Sequence, residues 1–205
     1  KVEQSKFDAW DKDKQLAFLI NAYNAYTIAL ILTEYPDIAS IRDLGSFFSS
    51  PWKKEIAPLL GETRTLDEIE HELIRGTNQT TKTYNEPRIH FAVNCASVGC
   101  PALREEAYTG NKLDEQLEAQ TKRFLSDSAR NKMSGDTLYL SKIFDWYSED
   151  FEGKYGEWRD TSTLNEFILL YKDAMRLTEA QVSALKNNTA DIEYLNYDWA
   201  LNVAQ

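Results

Sequence analysis

The longest apolar run in the chain, LAFLINAYNAYTIALIL at residues 16–32, is broken only by carboxamides, a threonine and tyrosines. Its apolar residues circle nearly the whole helical wheel, the mark of a helix central to a large core. Asp11, Lys12, Asp13 and Lys14 solvate its start, and Tyr35-Pro36 closes it, because a residue before proline disfavours the α region. The run is long enough to raise the question of a membrane span. Asn21, Asn24 and Thr27 argue for a buried helix instead, since each polar group in lipid would require a partner. Further on, residues 40–52 read as short helical turns. Residues 54–60 predict a strand, 61–62 a turn, and 63–66 a returning strand. Thr65 and Glu68 stand at capping-box spacing before LDEIEHELIR, which predicts a helix. Residues 76–87 are polar and without period, so they predict a loop. Residues 88–94 alternate in period two and predict a strand with Arg88, His90, Ala92 and Asn94 on one face and Ile89, Phe91 and Val93 on the other. Helices follow at 113–125, 144–151, 163–171 and 179–186, the last opened by Thr178. Short strands are expected at 137–140 and 192–201. No repeat or linker divides the chain. The pattern implies one α+β domain over residues 1–205, built as a buried central helix with a small sheet and surrounding helices.

Composition narrows the function classes. A chain of 205 residues can bury roughly 70% of its unfolded surface, so it can fold without a metal or a disulfide. Aromatics make up 12%, which excludes disorder. The net charge of -10 is the wrong sign for nucleic-acid backbones and for anionic membrane surfaces, so neither is an expected partner. With only two cysteines and two histidines, no zinc-ligand spacing is present, and neither metal nor cofactor is expected.

The chemistry-bearing candidates fall into three groups. On the helix after Thr65, Glu70 lies in the middle of the apolar arc of Leu66, Ile69, Leu73 and Ile74, where a charge must be paired. His71 lies at the edge of that arc, in line with Asp67 and Arg75. These two fit either a structural ion pair or a Glu-His pair facing a cleft. The second group is RIHFAVNCASVGCP from Arg88 to Pro101. Its polar strand face carries no lysine or glutamate and reads as a pocket lining. Cys95 admits three readings: a small buried apolar residue, a thiolate nucleophile, or half of a disulfide with Cys100. The third group is Asn21 and Asn24, one turn apart on an apolar helix, which either clamp neighbouring backbone or donate to a substrate oxyanion.

Five segments, LAFLINAYNAYTI, LDEIEHELIR, EPRIHFAVNCASVGCPAL, LSKIFDWYSEDF and IEYLNYDWALN, resemble in order the signature blocks of the family called domain of unknown function 547. The resemblance implies that Asn21, Asn24, Glu70, His71, Arg88, His90, Cys95 and Ser97 belong to the family's pattern. It also implies an N-terminal segment preceding this chain, and export to the periplasm or the extracellular space. Cys100 matches bacterial members, whereas plant relatives often carry serine there, so a Cys95–Cys100 disulfide would be optional.

Two functional readings follow, beside a third in which the buried polar network serves stability only. In the first, the protein is a cysteine-dependent hydrolase or acyl/thiol transferase acting on a carbonyl or thioester. Cys95 attacks, His71 or His90 takes its proton, Glu70 orients the imidazole, Asn21 and Asn24 or backbone N–H groups hold the oxyanion, and Arg88 and Ser97 complete the substrate pocket. In the second, the same polar residues line a non-catalytic pocket for a small molecule or peptide. The disulfide would favour the second.

Overall fold

The structure is a computed structural model, and it describes residues 2–46, 49–76, 83–153 and 157–203. The fold is α+β, as the hydrophobic pattern implies, with its helices and small sheets divided between two compact units. The first comprises Lys1–Tyr84, Ala92–Leu117 and Asp198–Gln205, the second Asn85–Phe91 and Glu118–Tyr197.

In the first unit, α1 (Gln4–Asp8) leads to α2 (Lys12–Leu32), the predicted long helix extended by one turn at its start. Asp11 caps α2 by accepting from the Lys14 backbone N–H. One side of α2 is buried by Leu16, Leu19, Ile20, Tyr23, Thr27, Leu30 and Ile31. The other side is not. Phe18, Ala22 and Tyr26 are half-buried, and Ala25, Ile28 and Leu32 are exposed. The expectation of an apolar helix enclosed all round is therefore corrected. Apolarity continues onto a face that the unit leaves open. By length and composition alone α2 could cross a membrane.

Strands β1 (Ala57–Leu59) and β2 (Glu62–Arg64) form an antiparallel hairpin, shorter than the predicted runs. Its turn is Leu60-Gly61, one residue earlier than the pattern suggests, with φ of 55° and 90°. Two left-handed residues are what a two-residue turn requires to match the strand twist. Thr65 and Glu68 make the predicted capping box, each side chain bonding the other's backbone N–H. The helix behind it, Glu68–Ile74, is a π-helix rather than an α-helix, with Arg75 N–H reaching Glu70 C=O five residues back. Of the predicted loop at 76–87, residues 77–82 lie outside the described residues. Gly110 sits where a Cβ would come within 2.8 Å of the Lys14 Cα, so only glycine lets that loop approach the start of α2.

The second unit opens with a 3-10 helix, Pro87–Phe91, where the alternation predicts a strand. The reason is visible in its burial. Pro87, Arg88, Ile89, His90 and Phe91 are all buried, so there is no solvated face for a period-two pattern to report. The Glu86 carboxylate accepts the Arg88 N–H and holds the chain in a turn. Helix α3 (Leu113–Leu125) crosses from the first unit's residues into the second's. Strands β3 (Lys132–Ser134), β4 (Thr137–Leu140) and β5 (Asp191–Tyr194) form a sheet in that order, antiparallel then parallel. The predicted final strand thus stops at Tyr194, and residues 198–202 take another role, described below. Helices α4 (Lys142–Trp146) and α5 (Ser148–Phe151) replace the single predicted aromatic helix. Helices α6 (Leu164–Leu170) and α7 (Glu179–Lys186) each begin on a threonine capping box.

The core of the second unit is aromatic. Phe167 is fully buried, and its ring lies 4.9–6.3 Å from those of Phe91, Phe144, Phe151, Trp158 and Tyr171. Removing such a ring forfeits both its burial and its edge-to-face contacts. Phe167→Ala is expected to lower the unfolding free energy by about 3–5 kcal/mol. Urea denaturation would show this as a lower midpoint with an unchanged slope.

Candidate functional site

The sequence candidates are divided between the two units. Asn21, Asn24, Glu70, His71, Cys95 and Ser97 belong to the first, and Arg88 and His90 to the second.

Both asparagines of α2 clamp backbone. Asn21 donates to the Tyr108 carbonyl at 2.8 Å and accepts the Tyr108 N–H at 2.9 Å. Asn24, which is buried, donates to the Ala92 carbonyl at 3.0 Å and accepts the Asn94 N–H at 2.8 Å. Each amide thus uses its oxygen and an N–H on a loop, the backbone clamp that the sequence offers as one of its two readings.

Glu70 is buried on the π-helix, and Leu66, Ile69 and Ile74 are buried around it, as the helical spacing indicates. His71 is half-buried at the edge of that face. Arg75 lies 2.9 Å from His71 Nδ1, and a guanidinium can only donate, so Nδ1 accepts. The neutral ring then carries its hydrogen on Nε2, which faces Asp67 Oδ1 at 3.6 Å.

Cys95 and Cys100 are joined by a disulfide. The small-residue loop between them is tightly organised. The Asn94 amide accepts the Ala96 N–H at 2.7 Å and donates to the Pro101 carbonyl at 2.6 Å. Ala96 adopts a φ of 61°, in the left-handed region. The buried Ser97 hydroxyl lies 3.3 Å from Cys95 Sγ, and the Cys95 N–H donates to Cys100 Sγ at 3.0 Å. The segment 198–202 straps the loop down. Val98 and Gly99 donate to Ala200 and Asp198, Asn202 donates to Ala96, and Leu201 donates to Ala39. This strap explains the strand-like appearance of 192–201 in the sequence.

In the second unit, Arg88 is 3% exposed and held by the Glu86 carboxylate, with a further bond to Glu118 at 3.2 Å. Its guanidinium also lies over the Trp158 ring. His90 Nε2 pairs with Asp150 Oδ2 at 2.7 Å, and the ring stacks on Tyr147. These buried charges are compensated locally, which is the condition for burying them. Burial alone would raise the Glu118 carboxyl. Hydrogen bonds from Lys122, Arg159 and Tyr171 nevertheless hold it below the usual carboxylate value. In the first unit, burial pushes the Tyr84 phenol up to about 12, and its hydroxyl donates to Gln15.

A feature that the sequence candidates do not include is a cleft of about 830 Å³ on the open face of α2. Phe18, Ala22, Ala25 and Tyr26 form its floor, and Pro58, Leu59, Leu60 and Gly61 of the hairpin form its wall. The Tyr26 hydroxyl donates to the Pro58 carbonyl at 2.8 Å and ties wall to floor. The signal for it in the sequence is the apolar character of α2 on the side that the core does not use.

Two outcomes test these assignments. Asn24→Ala removes the partner of the buried Ala92 carbonyl and of the partly buried Asn94 N–H and is expected to cost about 2–3 kcal/mol of stability. Asn21→Ala, at a half-buried position on α2, should cost about 1 kcal/mol, and denaturant titration separates the two. For Glu118, a depressed native value means that its stabilisation is present above the ordinary 4.5 and is lost as the pH falls through the lowered value. Glu118→Gln should therefore be less stable near neutrality and show a shallower decline in melting temperature below pH ~4.5.

Comparison with known proteins agrees with the sequence resemblance. No curated protein and no solved structure matches the chain. A family model described as "Protein of unknown function, DUF547" matches residues 7–125, from the aromatic of α1 through the cystine loop to the end of α3. The match covers more than half of the chain and includes all eight candidate residues, and so the chain belongs to the family of domain of unknown function 547.

Proposed function

We propose that the protein is a binding module for a small, mainly apolar molecule, held in the cleft between α2 and the β1–β2 hairpin. The observation that carries this reading is the open apolar face of α2. Beyond its buried side the helix presents Ala22, Ala25 and Tyr26, beside Phe18, whose ring also packs on Phe7 and Trp10. The hairpin pinned over that side by Tyr26 gives the face a wall. The cleft's size falls within the range of roughly 300–1,000 Å³ typical of ligand sites. Pro58 on the wall has no N–H, and its carbonyl is already taken by Tyr26, so an added peptide strand finds no ladder there. A compact molecule suits the space better than an extended peptide. The charged residues on the rim are Glu3 and Glu62, with no lysine or arginine among the lining residues, which favours a cationic or neutral polar head over an anionic one.

The cysteine-hydrolase reading has less support. Its nucleophile is tied in the disulfide, its oxyanion amides are occupied by loop backbone, and the His71 ring is held by Arg75 and Asp67.

The test is amide chemical-shift mapping with two probes of equal aromatic size, a benzylic trimethylammonium and a benzylic sulfonate. The ammonium probe should shift residues 22–26 and 59–63, and the sulfonate should bind about tenfold more weakly. Ala22→Trp, which fills the cleft, should abolish the shifts with the fold intact. Shifts that survive that substitution, or that lie in the second unit only, would overturn the reading.

A further inference from the structure

The disulfide is not symmetric. Cys95 is partly exposed, whereas Cys100 is 4% exposed. The Cys100 sulfur accepts the Cys95 backbone N–H at 3.0 Å. We propose that this disulfide is a thiol–disulfide exchange site of fixed polarity, at which a small thiol attacks Cys95 and Cys100 is the leaving group.

Exchange requires a thiolate to reach one sulfur while the other departs with the electron pair. Exposure selects Cys95 as the sulfur attacked. The developing charge then falls on Cys100 Sγ, where a hydrogen-bond donor is already in place. A donor aimed at a thiolate favours that charged form, and a better-stabilised thiolate leaves faster. In the first step the incoming thiolate forms a bond to Cys95 Sγ, the bond between Cys95 and Cys100 breaks, and Cys100 becomes a thiolate. In the second step another small thiolate attacks the outer sulfur of the mixed disulfide, and Cys95 leaves as a thiolate. The balance is one protein disulfide and two thiols converted to one protein dithiol and one small disulfide. The Ser97 hydroxyl at 3.3 Å is positioned to donate to the Cys95 sulfur released in this second step.

The loop is built to keep the two sulfurs together after the bond opens. The Asn94 amide bridges Ala96 to Pro101, and Cys100 N–H donates to the Ser97 carbonyl at 3.1 Å. Neither constraint involves the disulfide. The reduced pair therefore stays within reach of reoxidation by a small disulfide. This loop is separate from the apolar cleft, so the two proposals stand or fall independently.

The experiment uses the oxidised native chain and 2-mercaptoethanol, with an acid quench, maleimide blocking and peptide mapping. The mixed disulfide should be found on Cys95 in about tenfold excess over Cys100, with the maleimide on Cys100. Equal partition, adducts on Cys100, or reduction only after the chain unfolds would overturn the proposal. A second measurement compares the single variants Cys100→Ser and Cys95→Ser, folded, against an aromatic disulfide. The thiol of the Cys100→Ser variant should react faster. A faster reaction in the Cys95→Ser variant would reverse the polarity and sink the assignment.

Discussion

Irregular backbone must find hydrogen-bond partners, and in this protein carboxamide side chains supply many of them. Asn21 grips Tyr108, Asn24 grips Ala92 and Asn94, and Asn94 grips Ala96 and Pro101. Gln116 donates to the Ala107 carbonyl and accepts the Thr109 N–H, and Asn131 links the Phe124 carbonyl to the Ser141 N–H. An amide offers a donor and an acceptor side by side, as a neighbouring strand would. These side chains therefore do for the loops what a ladder does for a sheet. Among the described residues the sheets are small, with two and three strands, and several of the other connections use this substitute. Asn24 is the most consequential of them, because the segment it holds leads directly into the cystine loop.

Much of this was legible in the residues. The capping box at Thr65 and the helix opened by Thr178 follow from local chemistry, and the structure places helices behind both. Asn21 and Asn24 were conspicuous because two amides on an apolar helix demand partners. The identity of those partners was not legible, since Tyr108 and Ala92 are far away in sequence. Gln15, Gln116 and Asn131 escaped notice because they lie among charged or polar neighbours, where a clamp resembles a solvated side chain.

The misreadings have a common cause. Periodicity reports which side of an element meets water, and it fails where neither side does or where the open side is apolar. At 88–94 the alternation of Arg88 and His90 with Ile89 and Phe91 mimicked a half-exposed strand. All four are buried, and the polar side chains of Arg88 and His90 are paired with Glu86, Glu118 and Asp150 rather than with solvent. In α2 the reverse holds. An all-round apolar surface suggested complete enclosure, whereas Phe18, Ala22, Ala25 and Tyr26 floor a cleft. Cys95 illustrates a third limit. Its spacing to Cys100 allowed packing, catalysis or cross-linking, and only three-dimensional proximity selects among them.

The strap at residues 198–202 has a consequence for how the chain comes together during synthesis. All of the second unit, Asn85–Phe91 and Glu118–Tyr197, leaves the ribosome before the strap does. The first unit must wait, because the edge of its cystine loop and the Ala39 carbonyl are paired by residues made after all of the second unit. Closing a loop of that span carries an entropic cost that grows slowly with length, but it cannot be met until the segment exists. The unit that begins first is thus the one completed last. Until then Ala96, Val98 and Gly99 present open backbone groups, the kind of exposed edge through which nascent chains associate wrongly.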